Sequence, residues 1–380
     1  MTRPRVVIAG LGDSGVLTAI RLAKHADVVG VSVKPALVSG QELGLRLSRP
    51  QQWARDYWLP FDRFARLDAV RTVHGAVTGV DLDGGALRVA CADGATRDEL
   101  FDALIISTGV SNGFWRQPTT QSPGDVAAEL TEAHARLAAA GSVIVVGGGA
   151  AAVSSAANIA RTWPAKRVDL YFPGQRPLRE HHPRVWRTVE TRLADAGVVL
   201  HAEHRALVPE GFGCDRITDD PVRFSTGQDP ASADAVLWAI GKVRPNTDWL
   251  PTELLDDAGF VRVLPDLRVP GHSTVFAIGD VAATDPLRSS ARNRADGLLA
   301  HNVRAALTGR PLRHYRPPTR RWGSVLGAQP EGLEVFAPSG RAFRFPAWSI
   351  DRVLLPWIVR RGIYRGVRPN DPLKTARIDR

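Results

Sequence analysis

The sequence predicts an α/β fold built twice over from one β-α-β unit. Three observations carry that prediction. A short apolar strand, a glycine turn and an amphipathic helix follow one another near the start of the chain and again from residue 142. The two turns lie 137 residues apart, from Gly12 to Gly149, far beyond the period of a solenoid repeat. A third apolar strand, 274–278, ends in Gly279-Asp280 after the second unit is complete, so the chain returns to the first.

Taken in order, Arg5–Ala9 is an apolar run, and Gly10-Leu11-Gly12-Asp13-Ser14-Gly15 is the turn. Val16, Ala19, Ile20 and Ala23 then lie on one helical face, and 27–33 is the next strand. Residues 87–91 and 103–107 read as strands. The Pro/Thr/Ser stretch 117–124 suits a crossing between domains, and 127–140 is a helical pattern. The second unit comprises strand 142–146, turn Gly147-Gly148-Gly149-Ala150-Ala151-Ala152, helix 153–161 and strand 168–172. Trp186, Val189 and Leu193 mark a further helix, 235–240 a buried strand ending at Gly241, and 297–307 a last helix.

Each turn follows a strand and opens a helix, which is the context a phosphate site requires. Gly10 permits the tight turn, Gly12 lets the backbone approach a pyrophosphate, and Gly15 permits close helix–strand packing. Gly147, Gly149 and Ala152 take those roles in the second turn, where Ala is tolerated because only packing is at stake. The helix start supplies N–H groups and partial positive charge. Two such units predict two Rossmann-like, three-layer domains, one for a bound dinucleotide and one for a dinucleotide substrate. A carboxylate at the Gly279-Asp280 strand end can accept hydrogen bonds from a polyol; the plainer reading is a helix N-cap.

The 44% hydrophobic, 23% charged composition is that of an ordinary globular protein. Two distant cysteines, Cys91 and Cys214, exclude a disulfide scaffold, a Cys-based zinc site and a redox-active Cys pair, and with it disulfide reduction. His181, His182, His201 and His204 lack an acidic companion set, so no metal is expected. No apolar run reaches the ~18 residues of a spanning helix. A strand beginning at Arg5 leaves no room for a signal peptide, and the expectation is a cytoplasmic protein.

In order, the motifs Gly10–Gly15, Ile106-Ser107-Thr108-Gly109, Gly147–Ala152, Ala239-Ile240-Gly241 with Arg244-Pro245-Asn246, and Phe276–Val281 resemble those of the FAD-dependent pyridine-nucleotide oxidoreductases of the glutathione-reductase-like fold. Within that group the chain is most similar to the branch of apoptosis-inducing-factor-like oxidoreductases and type II NADH dehydrogenases. The resemblance covers about residues 4–315. It implies an FAD site at Gly10, Gly12, Asp13, Ser14, Gly15, Thr108, Gly109, Gly279, Asp280 and Val281, and an NAD(P)H site at Gly147, Gly149, Ala150, Ala152 and Gly241. It implies a discontinuous FAD domain (1–115 and 251–310) around an NAD(P)-binding domain (116–250). No catalytic side chain is expected, because the flavin carries the chemistry.

Three departures accompany the resemblance. The second strand of the first unit ends in Ser32 and Lys34 in place of the acid that usually binds a ribose, so these two residues become its candidate partners. The second unit also lacks that acid and ends in Arg176, which favours the 2′-phosphate of NADPH. Residues 291–297 carry no Gln where related quinone reductases often have one.

Residues 1–309 hold 34 Lys/Arg against 34 Asp/Glu, and residues 310–380 hold 15 against 5, so the net charge of +10 lies wholly in a basic C-terminal region, 311–380 with Arg310. That suggests a local anionic partner, not a nucleic-acid-binding fold. Ile350, Val353, Leu354, Trp357 and Ile358 share one α-helical face among arginines, with Pro356 expected to kink or start a helix. Residues 350–368 are expected either to touch a membrane surface peripherally or to pack on the body or a homodimer mate. Three function classes follow: an NAD(P)H dehydrogenase passing electrons to a quinone or other small acceptor, a reductase of a protein carrier such as a ferredoxin, and a redox-sensing nucleotide-binding protein.

Overall fold

The computed structural model describes residues 3–38, 43–111, 113–114, 117–241, 243–284, 295–317 and 323–369. The chain begins with β1 Arg5–Ala9, α1 Asp13–Leu22, β2 Asp27–Ser32 and β3 Ala36–Val38. There follow α2 Leu43–Ser48, α3 Pro50–Tyr57, β4 Trp58–Pro60, β5 Val70–Asp81, β6 Ala86–Cys91, β7 Thr96–Leu100, β8 Ala103–Ile106 and β9 Val110–Ser111. The middle holds α4 Pro123–Ala139, β10 Ser142–Val146, α5 Ala150–Thr162, β11 Arg167–Tyr171, α6 Pro183–Asp195, β12 Val198–His201 and β13 Ala235–Trp238. The last part holds β14 Arg244–Pro245, β15 Val275–Ala277, α7 Asp296–Leu307, β16 Ala328–Gln329, β17 Gly332–Phe336 and β18 Ala342–Pro346, with a π-helix over Ile350–Ile363.

Two sheets organise these elements. One runs β15-β8-β1-β2-β5-β6-β7, the other β12-β11-β10-β13. β1 and β10 sit inside their sheets and pair in parallel on both sides, which explains their nearly unbroken apolar sequences. The chain leaves the first sheet after β8 and rejoins it when β15 pairs with β8. The outgoing and returning segments run side by side, since β9 pairs antiparallel with β14. Just before the second sheet, Ser122 and Asp125 form a reciprocal capping box, with Pro at the first helical turn. α4 therefore starts four residues before the expected 127.

The antiparallel extension β5-β6-β7 is only partly legible in the sequence. β7, Thr-Arg-Asp-Glu-Leu, buries only Glu99 and has no apolar alternation to betray it. Glu99 is held by Arg5 and Arg71, so a paired carboxylate takes the place of an apolar anchor.

The described residues of the C-terminal region pack on both sheets. Val325, Leu326 and Phe336 belong to the core beneath the second sheet. Tyr364 belongs to the core beneath the first, with Val359 and Ile363 packed against it. The π-helix corrects the expected apolar face. Its chain runs straight through Pro356, and the Tyr364 N–H donates to the carbonyl five residues back, on Val359. Ile350 and Leu355 are buried and Leu354, Val359 and Ile363 pack against core clusters, so of the five residues expected on one face Ile350 and Leu354 turn inward. Val353, Trp357 and Ile358 are exposed, so the five residues expected on one α-helical face divide between the body and the surface.

Candidate functional site

The two glycine turns are built alike. Gly10 (φ +103°) and Gly147 (φ +143°) have backbone angles that L side chains rarely adopt. A Cβ on Gly10 would lie 2.4 Å from the Ser107 carbonyl oxygen, and one on Gly147 would lie 2.2 Å from that of Ala239. Each turn is thus pressed against the strand end that carries the next motif. Gly12 caps α1 and Gly149 caps α5, and neither helix start receives a side-chain hydrogen bond. Nothing lies within 4 Å of where a Cβ on either would sit. Both helix N-termini therefore offer uncapped N–H groups to open space, which suits an anionic diphosphate.

In the first unit that space is a cavity of about 530 Å³. Gly10, Gly12, Ser32, Lys34, Thr108, Gly109 and Asp280 all line it, brought together from four separate parts of the chain. The other expected residues act around the cavity. Gly15 is a packing position, since a Cβ there would lie 2.0 Å from the Gly10 carbonyl oxygen. The Asp13 carboxylate accepts a hydrogen bond from the Tyr364 hydroxyl of the C-terminal region. The Ser14 carbonyl accepts from Thr18, and its hydroxyl lies 3.2 Å from where a Gly279 Cβ would sit. The Val281 side chain is fully buried in the apolar cluster on the other face of the first sheet.

Lys34 decides the electrostatics of this cavity. It is 4% exposed. Burial pushes its ammonium down to about 8, with Glu129 pulling it back up and Arg46 pushing it further down. A cationic group with so little water around it favours an anionic ligand.

The cavity also receives Asn246, from the returning segment. The Asn246 amide donates to the Thr108 carbonyl (3.0 Å), and its side-chain oxygen accepts from Ser111 (2.6 Å). Its backbone carbonyl accepts from Thr108 Oγ1 (2.8 Å) and Trp249 Nε1 (3.1 Å). Arg244-Pro245-Asn246 thus ties the two crossings together at the cavity wall. Trp249 and the β5 residues Gly75–Thr78 line the same wall, and no sequence signal marked them.

In the second unit, Ala150 opens α5, Ala152 is fully buried and Gly241 (φ +70°) follows β13 as Gly109 (φ +69°) follows β8. Asp169, the one carboxylate on β11, is held by Arg167 (2.8 Å) and His201 (2.7 Å), and so is not at the strand end. Beyond that end, Arg176 has a buried Nη1 with no hydrogen-bond partner. His201 also stacks on Tyr171, and the His182 ring accepts from the Arg184 N–H as a helix cap, so each has a structural task. Trp53 is 1% exposed and packs edge-on to Trp58. Residues 291–294, where a Gln was sought, lie outside the described residues.

The chain is similar to several known proteins. Ferroptosis suppressor protein 1 of Xenopus tropicalis is 28% identical over 82% of this chain and 83% of its own. Demethylphylloquinone reductase NdbB of Synechocystis is 24% identical over 94% and 96%. The solved structure of LpdA from Mycobacterium tuberculosis is similar in fold, with TM-score 0.64 and 19% identity over 88% of this chain and 78% of that one. The pattern of the pyridine nucleotide-disulphide oxidoreductases matches residues 4–306, and the chain belongs to that family as an oxidoreductase using FAD with NAD(P)H.

Proposed function

We propose that this enzyme takes two electrons from NAD(P)H and passes them to a quinone or another small acceptor. The observation that carries the reading is a pair of open, uncapped glycine turns without a pair of cysteines between donor and acceptor. Cys91 ends β6 of the first sheet and Cys214 lies in the segment between β12 and β13, so the chain's two cysteines offer no adjacent pair on which electrons could rest. Two of the similar proteins fit this reading, one named as a demethylphylloquinone reductase and one, matched over 57 residues, as a type II NADH:quinone oxidoreductase.

In this reading the first cavity holds FAD, which supplies two-electron acceptor chemistry when bound. Gly12 and the start of α1 take the diphosphate, Lys34 and Ser32 face the adenosine end, and Asp280 accepts hydrogen bonds from the ribityl hydroxyls. Val281 serves through its backbone N–H. Gly149, Ala150 and the start of α5 take the diphosphate of NAD(P)H, and Arg176 its 2′-phosphate. Asn246 holds the two crossings in register, so the two sites keep a fixed distance. No side chain is needed as an acid or base.

The exposed Trp348, Val353, Trp357 and Ile358 form the way to an acceptor dissolved in a bilayer, with Arg361 stacked 4.8 Å over the Trp357 ring. Apolar side chains among arginines suit an anionic membrane surface.

The test is the visible spectrum followed by turnover. The purified protein should show flavin absorption that NAD(P)H bleaches and a quinone restores. Rapid bleaching with no quinone turnover but rapid reduction of a ferredoxin would move the acceptor to a protein. Asp280→Ala should lose flavin and regain most activity with excess FAD. A fully flavinated, slow variant would make Asp280 a proton-transfer group instead.

A further inference from the structure

A second cavity, of about 280 Å³, lies at the other end of α1 from the glycine turn. It is lined by Arg21 and Lys24 from α1 and the turn after it, Arg66, Arg304 from α7, and Arg365 from the C-terminal region. His25 and His301 complete its polar wall, over a floor of Ile20, Gly297 and Ala300. None of these residues lines the cofactor cavity. Arg21 lies nine residues beyond Gly12, about 13 Å along the helix.

Among the described residues only one of the five cations of this cavity is paired with a carboxylate. Asp296 pairs with Arg21. Among the described residues no carboxylate pairs with Lys24, Arg66, Arg304 or Arg365, although those residues come from four separate parts of the chain. Both histidines lose basicity. For His25 the causes are burial, then Arg304, Arg3 and Lys24; for His301 they are burial, then Arg313 and Arg304. Converging like charges repel, and a folded chain keeps them together at a cost that a bound anion removes. The C-terminal end of α1 attracts only the nearest cations and does not account for Arg66, Arg304 or Arg365.

Arg365 is also held in place deliberately. Its φ is +57°, unusual for a residue with a side chain. The next residue fixes it there, since the Gly366 carbonyl accepts from the Ala65 N–H (3.0 Å) and Val367 bridges to Phe64. The left-handed residue closes the π-helix, with the Gly366 N–H donating to the Arg360 carbonyl (2.9 Å), and that ending sets Arg365 at the cavity.

We propose that this cavity binds a small solute carrying two or three linked phosphoryl groups. Guanidinium groups match phosphate oxygens in pairs, and four of the five cations here are arginines. The volume equals that of about nine waters, enough for a di- or triphosphate but too small for a dinucleotide. No aromatic ring other than the two imidazoles lines the cavity, so it recognises the phosphates and not a base.

Calorimetric titration of the flavin-loaded protein with inorganic tripolyphosphate at low salt tests this. Saturable one-site binding is expected, weakened at least tenfold in the Arg66→Gln/Arg304→Gln double variant and also by added salt. Both side chains are exposed, so the variant should fold with its flavin content unchanged. Arg176→Gln should leave the affinity unaltered. No binding, or equal binding by the double variant, overturns the proposal. So does loss of binding in the Arg176 variant, which would place the anion at the nicotinamide nucleotide's turn. Binding to phosphatidylglycerol vesicles without binding to tripolyphosphate also overturns it, making the cavity a lipid-headgroup contact. None of these outcomes bears on the flavin spectrum that tests the acceptor reading.

Discussion

In both β-α-β units the helix begins at a glycine with empty space in front of it, Gly12 in one and Gly149 in the other. In both, the turn is pressed onto the carbonyl of a strand end, at Ser107 and at Ala239. The units part at the third position. A methyl on Gly15 would strike the Gly10 carbonyl at 2.0 Å, whereas the second unit carries Ala152 with its methyl in place. They part again after the second strand, where Lys34 is buried in a cavity and Arg176 stands half-buried beside a more open turn. The difference teaches that the second glycine position marks space the protein leaves open in both units, while the third position reports only how closely helix and turn approach.

The largest effect should come from filling the open positions one at a time. Gly12→Val should fold normally by circular dichroism and purify without flavin, because a Cβ there has open space in front of it and the side chain enters the diphosphate space of the proposed site. Stoichiometric flavin in that variant would dissolve the comparison. Gly149→Val should keep its flavin and slow bleaching by NAD(P)H about 100-fold, since misplaced reactants lose the advantage of orientation. Bleaching at the normal rate would put the nicotinamide nucleotide elsewhere.

The third position should separate the units by stability. Gly15→Ala overpacks the first turn and should lower unfolding stability by about 3 kcal/mol. Ala152→Gly should lower it by only about 1 kcal/mol, the cost of glycine in a helix. Thermal unfolding of the two variants side by side gives the ranking, and equal losses would show that the first turn relaxes.

Lys34 should make the first unit sensitive to pH. Its folded value of about 8 lies below the ordinary 10.5, so between those values the unfolded chain binds more protons. The stability of the flavin-free protein should therefore rise as pH climbs from about 8 towards 10.5, and Lys34→Met should flatten that rise. An anionic cofactor should restore the ammonium, so FAD binding near pH 8.5 should take up protons, measurable as a dependence of binding heat on buffer ionisation. A wild-type curve as flat as that of Lys34→Met would leave Lys34 with no part in the cavity's charge.

The smallest effect is expected at Arg176, which is only half-buried. Arg176→Gln should raise the KM for NADPH several-fold and leave that for NADH nearly unchanged. An equal change for both would make Arg176 a general contact and remove the basis for a preference.

Much of this was legible because the information is local. A turn that admits no Cβ must be written with glycine, so Gly10 and Gly147 announce themselves without knowledge of the fold, and Gly12 and Gly149 follow two residues after them in the same motif. Buried parallel strands must be apolar nearly throughout, and β1, β10 and β15 were readable for that reason. β7 was not, because its one buried side chain is a carboxylate satisfied by arginines 94 and 28 residues away. The C-terminal face was misjudged because the spacing of its apolar residues was measured against an α-helix, and packing on two cores selected a wider one.

The sequence by itself determined the two β-α-β units, their order, the return of the chain to the first sheet and the surplus of positive charge near the C-terminus. Those features rest on backbone sterics, strand burial and simple counting, which need no partner across the fold. Only the tertiary structure decided that Lys34 is buried, that Asn246 joins the two crossings and that Tyr364 reaches Asp13 across 351 residues. It alone gathered Lys24, Arg66, Arg304 and Arg365 around one cavity. The reason is that burial and electrostatic convergence belong to the space between segments, and no single segment records what will be folded against it.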